Sequence, residues 1–214
     1  MPYWEPKPIW EGAEVFIIGG GPSLLDFDWS LLKDEKTIGC NMAFRLGEEI
    51  CDVCVFGDAS WYKHFKQDLS QFTNPVFTNA TAVIDKDRGS LAWINFMERE
   101  PFGLHKNALG WNGHTGSVAI NLAMLFGAST IYLLGFDMHR TPDRSNWHDE
   151  VIHKDAVLSG SYELFRRKSD KMIAGWKENF PNVRIINLCK DSSLEGIPKR
   201  DIDGFFSQRK QRIA

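Results

Sequence analysis

Four apolar residues run straight into three consecutive glycines in Val15-Phe16-Ile17-Ile18-Gly19-Gly20-Gly21-Pro22-Ser23-Leu24. A short uncharged apolar run reads as a strand buried on both faces, which is the habit of strands in parallel sheets. Glycine ends such a strand abruptly and lets another group approach the main chain closely. Pro22 brings a fixed φ suited to a first helical turn, without an N–H to offer. Strand, glycine turn and helix start together read as an anion-binding corner at the carboxyl end of a sheet, a seat for nucleotide or nucleotide-sugar phosphates. A tight turn with no ligand is the alternative. Neither standard phosphate fingerprint fits. No Lys follows to complete a Walker loop, and Leu24 stands where a Gly-x-Gly-x-x-Gly pattern begun at Gly19 needs its last glycine.

The rest of the chain repeats the strand–helix alternation. Strands are predicted at Val15–Ile18, Thr37–Cys40, Val53–Phe56, Pro75–Thr78, Thr130–Leu134 and Val183–Asn187. Helical stretches are predicted at Asp28–Leu32, Ser60–Leu69, Val118–Phe126 and Asp155–Asn179. This order predicts an α/β fold, Rossmann-like, with a mainly parallel sheet flanked by helices. A length of 214 residues fits a single domain, 1–214. Residues 85–112 mix charge, Gly and Trp and read as a lid, and the charged tail 197–214 reads as loosely packed.

In an open α/β sheet, ligands sit beyond the carboxyl ends of the strands. The polar residues expected there are Gly19–Ser23, Asn41, Asp58, Thr78-Asn79 and Asp137, with Thr115-Gly116-Ser117 opening a central helix. Asp58 and Asp137 could together hold Mg²⁺ beside a nucleoside triphosphate. His139, Arg140 and Arg144 follow Asp137, and Trp111 and Trp147 could stack on a base or sugar. His114 precedes the Thr-Gly pair and reads either as a cleft or as a loop residue.

The net charge of −3 gives no support to electrostatic capture of nucleic acid. No apolar run approaches a membrane span, and the polar, aromatic start is unlike a signal peptide, so a cytoplasmic location is the expectation. Cys51 and Cys54 have a Cys-x-x-Cys spacing but no second pair; with Cys40 and Cys189 they read as buried free thiols.

Three pieces in combination carry a resemblance over roughly residues 14–198. They are Ile18-Gly19-Gly20-Gly21-Pro22-Ser23-Leu24, Gly39-Cys40-Asn41, and Thr115-Gly116-Ser117-Val118-Ala119 running to Leu134-Gly135-Phe136-Asp137. The pattern resembles the bacterial sialyltransferases that build lipooligosaccharides and the related hydroxymethylpterin pyrophosphokinase-like proteins. Its closest look is to small tailed-bacteriophage members of that superfamily, whose Trp-His-Gly-Asp-type segment is matched in part by Trp147-His148-Asp149.

The resemblance implies a Rossmann-like fold, a nucleotide-sugar donor of CMP type, no metal requirement, and a host-cytoplasmic setting if phage-encoded. It implies donor contacts at Gly19, Gly20, Gly21, Pro22, Ser23, Asn41, Thr115, Gly116 and Ser117; Asp58 joins these candidates from its place at a strand end. It implies a His general base, for which His148 and His153 are candidates; His148 is preferred for its Trp and Asp neighbours, and Asp149 or Asp137 could orient the imidazole. Gly20 stands where the family has a polar residue, which bears on the identity of the base. Two other readings remain open: an ATP/Mg²⁺-dependent pyrophosphokinase-like phosphotransferase, and a non-catalytic nucleotide-binding phage accessory protein.

Overall fold

A computed structural model describes residues 3–87, 93–139, 141, 144, 146–148 and 159–213. In chain order its elements begin with β1 (Glu14–Ile18), β2 (Lys36–Cys40), β3 (Val53–Phe56), α1 (Ala59–Leu69), β4 (Val76–Thr78), α2 (Thr81–Asp87), β5 (Ile94–Phe96), β6 (Arg99–Glu100) and β7 (Leu109–Gly110). They continue with α3 (Thr115–Leu125), β8 (Thr130–Leu134), α4 (Ser159–Asn179), β9 (Arg184–Asn187) and α5 (Ile202–Ile213). Short 3-10 turns follow β1 at Pro22–Leu24 and β2 at Asn41–Leu46, and one lies at Trp29–Leu32.

Seven strands form one sheet in the order β5-β4-β3-β2-β1-β8-β9, every neighbouring pair parallel. This is the α/β, Rossmann-like arrangement that the strand–helix alternation predicts. Both faces are covered, so alternate residues of one strand serve opposite cores. Val15, Ile17, Ile131 and Leu133 pack with α3 on one side. Phe16, Ile18, Tyr132 and Leu134 pack on the other with Leu24, Leu32 and Phe206. Helix α3 is apolar all round and buried at every position except Gly116, as a helix held between the sheet and other layers must be.

Two expectations change. Residues 94–96 of the expected lid are the edge strand β5, paired with β4, and Met97, Leu104 and Leu109 are fully buried in the main core. Long-range pairing and apolar burial decide this segment, although its local composition reads as loop. The tail is likewise packed among its described residues. Ile197 is buried, Phe205 and Phe206 pack against Phe16, and Arg209 of α5 reaches both Glu14 and Glu35. Its charges dock the helix on the sheet.

All four cysteines are buried and free. Burial pushes the Cys51 thiol up to about 12 and raises those of Cys40 and Cys54 further, so these thiols are inert fillers of the core.

Candidate functional site

All strands of a parallel sheet end on the same edge. From β1 the chain steps outward through β2, β3, β4 and β5, then returns to β8 on the opposite flank of β1. The strand order reverses between β1 and β8, and ligands of open α/β sheets lie beyond such a switch point. The glycine turn and Gly135-Phe136-Asp137 meet at this point.

Their junction is tightly knit. Gly19 N–H donates to Leu134 O (2.7 Å) and Gly21 N–H to Gly135 O (2.8 Å). Ser23 N–H donates to Asp137 Oδ1 (3.0 Å), and Ser23 Oγ–H to Asp137 Oδ2 (2.8 Å). The amides of Gly19, Gly21 and Ser23, expected to face an anion, are thus spent on acceptors within the protein. The helical turn that follows is only three residues long. Asp137, 4% exposed, clamps the turn from beneath, and a Cβ at Gly21 would overlap its carboxylate. Close approach, at an ordinary φ of −62°, is what requires glycine there.

The same turn anchors the Trp-His segment. Trp147 N–H donates to Gly20 O (3.0 Å) and the Trp147 indole N–H to Gly19 O (2.9 Å). A Cβ at Gly20 would stand 3.0 Å from Asn146 Oδ1 and 3.9 Å from His148 Nε2, so His148 lies directly beside the glycine turn. Its ring meets the Trp147 ring edge-to-face at 5.0 Å. Asp149, His153 and Arg140 fall outside the described residues. His139 Nδ1 turns back to the Asp137 backbone carbonyl at 2.9 Å.

One strand away, the Thr115 hydroxyl donates to Asn41 Oδ1 at 3.3 Å, joining the end of β2 to the start of α3. Asn41 has φ +51°, and the other left-handed non-glycine residues among those described are Asn112 and Met138. All three lie in loops of the carboxyl rim. Such conformations cost about 1–3 kcal/mol and collect at binding and catalytic sites; Asn tolerates them far better than Met. Ser117, by contrast, is fully buried, and its hydroxyl donates to Trp111 O at 2.6 Å, closing the loop before α3. Gly116 is the partly exposed member of that triplet.

His114 is the N-cap of α3. Its Nδ1 accepts from Ser117 N–H at 3.1 Å, which places its proton on Nε2, and Nε2 is buried with no partner among the described residues. Burial, and then the nearby Lys168 charge, push its pKa down to about 4. It is neutral at physiological pH and too weakly basic for efficient proton abstraction.

The far corner of the rim lies at the ends of β3 and β4. Asp58 caps α1 through Oδ1, which accepts from Ser60 N–H at 2.8 Å. Trp111 covers Gly57 so closely that any side chain there would overlap the indole. Arg99 stacks on Trp111, 4.3 Å from the ring centroid, and donates to the carbonyls of Gly57 (3.3 Å) and Asn79 (3.4 Å). Sequence reasoning passed over Arg99, because an arginine between two glutamates carries no local signal. Asp58 and Asp137 follow strands three positions apart, about 14 Å at the usual strand spacing, and both Asp137 oxygens are taken by Ser23. That pair is not placed to share one Mg²⁺. No group of three or more His, Cys, Asp or Glu side chains that could hold a metal ion occurs among the described residues.

No protein-family model and no curated protein matches this sequence. Solved structures do. The MAf glycosyltransferase of Magnetospirillum magneticum AMB-1 superposes with a TM-score of 0.65 at 16% identity, over 98% of this chain and 38% of that one. The chain thus spans little more than a third of that enzyme. The sialyltransferase CstII of Campylobacter jejuni, in complex with cytidine-5'-monophosphate, superposes with a TM-score of 0.54 at 15% identity, over 89% of this chain and 85% of CstII. A second CstII structure, holding CMP-3FNeuAc, gives 0.53 at 15% identity. The fold is shared with these glycosyltransferase structures. At these identities the likeness is one of architecture, and the chemistry has to be argued from the rim itself.

Proposed function

We propose that this protein is a glycosyltransferase-like enzyme that takes a nucleotide-sugar, of CMP type, and passes the sugar to an acceptor hydroxyl. The observation that carries the reading is the docking of Trp147-His148 onto the glycine turn at the β1/β8 switch point, on a fold shared with a sialyltransferase that binds CMP. In this reading His148 removes the acceptor proton. The freed oxygen attacks the anomeric carbon, the bond from that carbon to the phosphate oxygen breaks, and the nucleotide monophosphate leaves. Asn41, Thr115 and the partly exposed Gly116 line the donor; Asp137, one of the two residues expected to orient the imidazole, is committed through both oxygens to Ser23. His114 is not the base, because it is neutral, committed to the α3 cap and pushed down to about 4. The pyrophosphokinase-like alternative loses its metal pair with the separation of Asp58 from Asp137. A non-catalytic nucleotide-binding protein would bind without turnover.

A thermal-shift series with CMP, UDP, GDP and ATP, each with and without Mg²⁺, tests the reading. CMP at 100 times its dissociation constant should add about 2.7 kcal/mol of stability without Mg²⁺. Failure of every nucleotide to stabilise the protein would overturn it. His148→Ala should lower the turnover of a nucleotide-sugar by about 10²–10⁴-fold while leaving nucleotide binding in place. Equal turnover by variant and wild type would remove His148 from the mechanism.

A further inference from the structure

The amides of Gly19, Gly21 and Ser23 are spent, so a negatively charged ligand needs another source of positive charge on this rim. Arg99 has the right properties. It is half-buried, held against Trp111 at 4.3 Å, and anchored by one terminal nitrogen to the carbonyls of Gly57 and Asn79 at 3.3 and 3.4 Å. Neither contact neutralises it. No carboxylate forms an ion pair with it among the described residues. The nearest acidic influence is Asp58, whose Oδ1 is committed to the cap of α1. Beside it Asn79, wholly buried, donates through Nδ2 to Leu109 O, and its Oδ1 has no partner among the described residues. Protein interiors pair their charges and satisfy their polar atoms, because an unpaired one costs free energy. A half-buried guanidinium without a carboxylate partner among the described residues keeps donors for an anionic group.

We propose that Arg99 is an oxyanion receptor of this site, presenting its fork to a carboxylate or phosphate group of the bound donor, with Trp111 fixing the guanidinium plane. The inference rests on the nucleotide-sugar reading and assigns one contact within it. Guanidinium matches both groups in planar, two-point geometry and is weakly hydrated, so holding it half-buried costs less than holding a lysine ammonium. Gly57 and Asn79 follow β3 and β4, two and three strands from β1, about 10–14 Å at the usual spacing. A ligand that lies above the β1/β8 switch point and also reaches Arg99 must be extended, as a nucleotide-sugar is.

Calorimetric titration of wild type, Arg99→Met and Arg99→Lys with cytidine, CMP, UDP-glucose and CMP-3FNeuAc tests the proposal and separates the two anions. Methionine keeps an apolar stem on Trp111 and removes the charge, so the Tm of Arg99→Met should stay within about 2 °C of wild type or rise. If the receptor holds phosphate, Arg99→Met binds CMP, UDP-glucose and CMP-3FNeuAc about tenfold or more weakly and cytidine unchanged. If it holds the sugar carboxylate, CMP-3FNeuAc alone weakens by that factor. In either case Arg99→Lys recovers only part of the loss, because a point charge lacks the fork. Wild-type affinity for all four ligands in Arg99→Met would overturn the assignment and leave the glycosyltransferase reading standing. A fall in Tm beyond about 5 °C in both variants would overturn it in favour of a packing role. Wild type binding none of the four would overturn the glycosyltransferase reading and this assignment with it.

Discussion

A single methyl group added at Gly21 is expected to cost the fold about 3–5 kcal/mol. The added carbon would overlap the Asp137 carboxylate and approach Gly135 O to 2.6 Å. The carboxylate can escape only by turning away from Ser23, which gives up two hydrogen bonds to a charged group, and Asp137 is 4% exposed. A buried carboxylate stripped of its donors carries a penalty of about 3–5 kcal/mol. Urea unfolding of Gly21→Ala measures the loss. A double-mutant cycle then locates it: in an Asp137→Ala background the same substitution no longer meets the carboxylate, so the two changes should couple by more than about 1 kcal/mol. Strict additivity would mean that the clash is relieved elsewhere. The consequence for function is direct, since Trp147 hangs from Gly19 O and Gly20 O and carries His148 with it.

The turn also marks the boundary of what the sequence could tell. Its strand and its bend were legible, because four apolar residues followed by glycine and proline leave little choice to the local backbone. β3 and β8 were legible to the residue for the same reason: Val53–Phe56 and Thr130–Leu134 are unbroken apolar runs. The destinations of the turn's N–H groups were not. Their acceptors, Leu134 O, Gly135 O and the Asp137 carboxylate, lie more than 110 residues away, and no local pattern announces them. An anion seat and an internal clamp use the same glycines.

The pieces settled by long-range pairing were illegible for the same reason. β5 is three residues long and exists because Ile94 and Phe96 pair with Val76 and Thr78. α5 reads as a solvated charged tail until Arg209 is seen between Glu14 and Glu35. Asn41 and Thr115 were both expected on the rim from their place at a strand end and a helix start, and the structure brings them within hydrogen-bond distance. Arg99, on a two-residue strand, has no such marker.

Acid should reveal His114 before any ligand is known. Its pKa falls from the usual 6.5 to about 4 because the ring is buried, with the Lys168 charge and the amino end of α3 opposing protonation. In the unfolded chain the ring takes up a proton near 6.5; in the folded chain it resists until about 4. Above pH 6.5 both states are neutral and the group is silent. As pH falls from 6.5 toward 4 the unfolded state gains the proton first, so stability is lost across that window, and below 4 the loss is complete at about 3 kcal/mol. His114→Asn isolates the effect, since asparagine also caps a helix by accepting from the amide three residues on, and it does not titrate. Urea unfolding of both proteins at pH 7 and pH 4 should show the stability of wild type relative to His114→Asn dropping by about 3 kcal/mol. Other carboxylates and histidines titrate in both and cancel. A pH-independent difference would mean that the ring takes up its proton as readily in the folded chain as in the unfolded one, and a protonated His114 has no free nitrogen with which to accept the Ser117 amide.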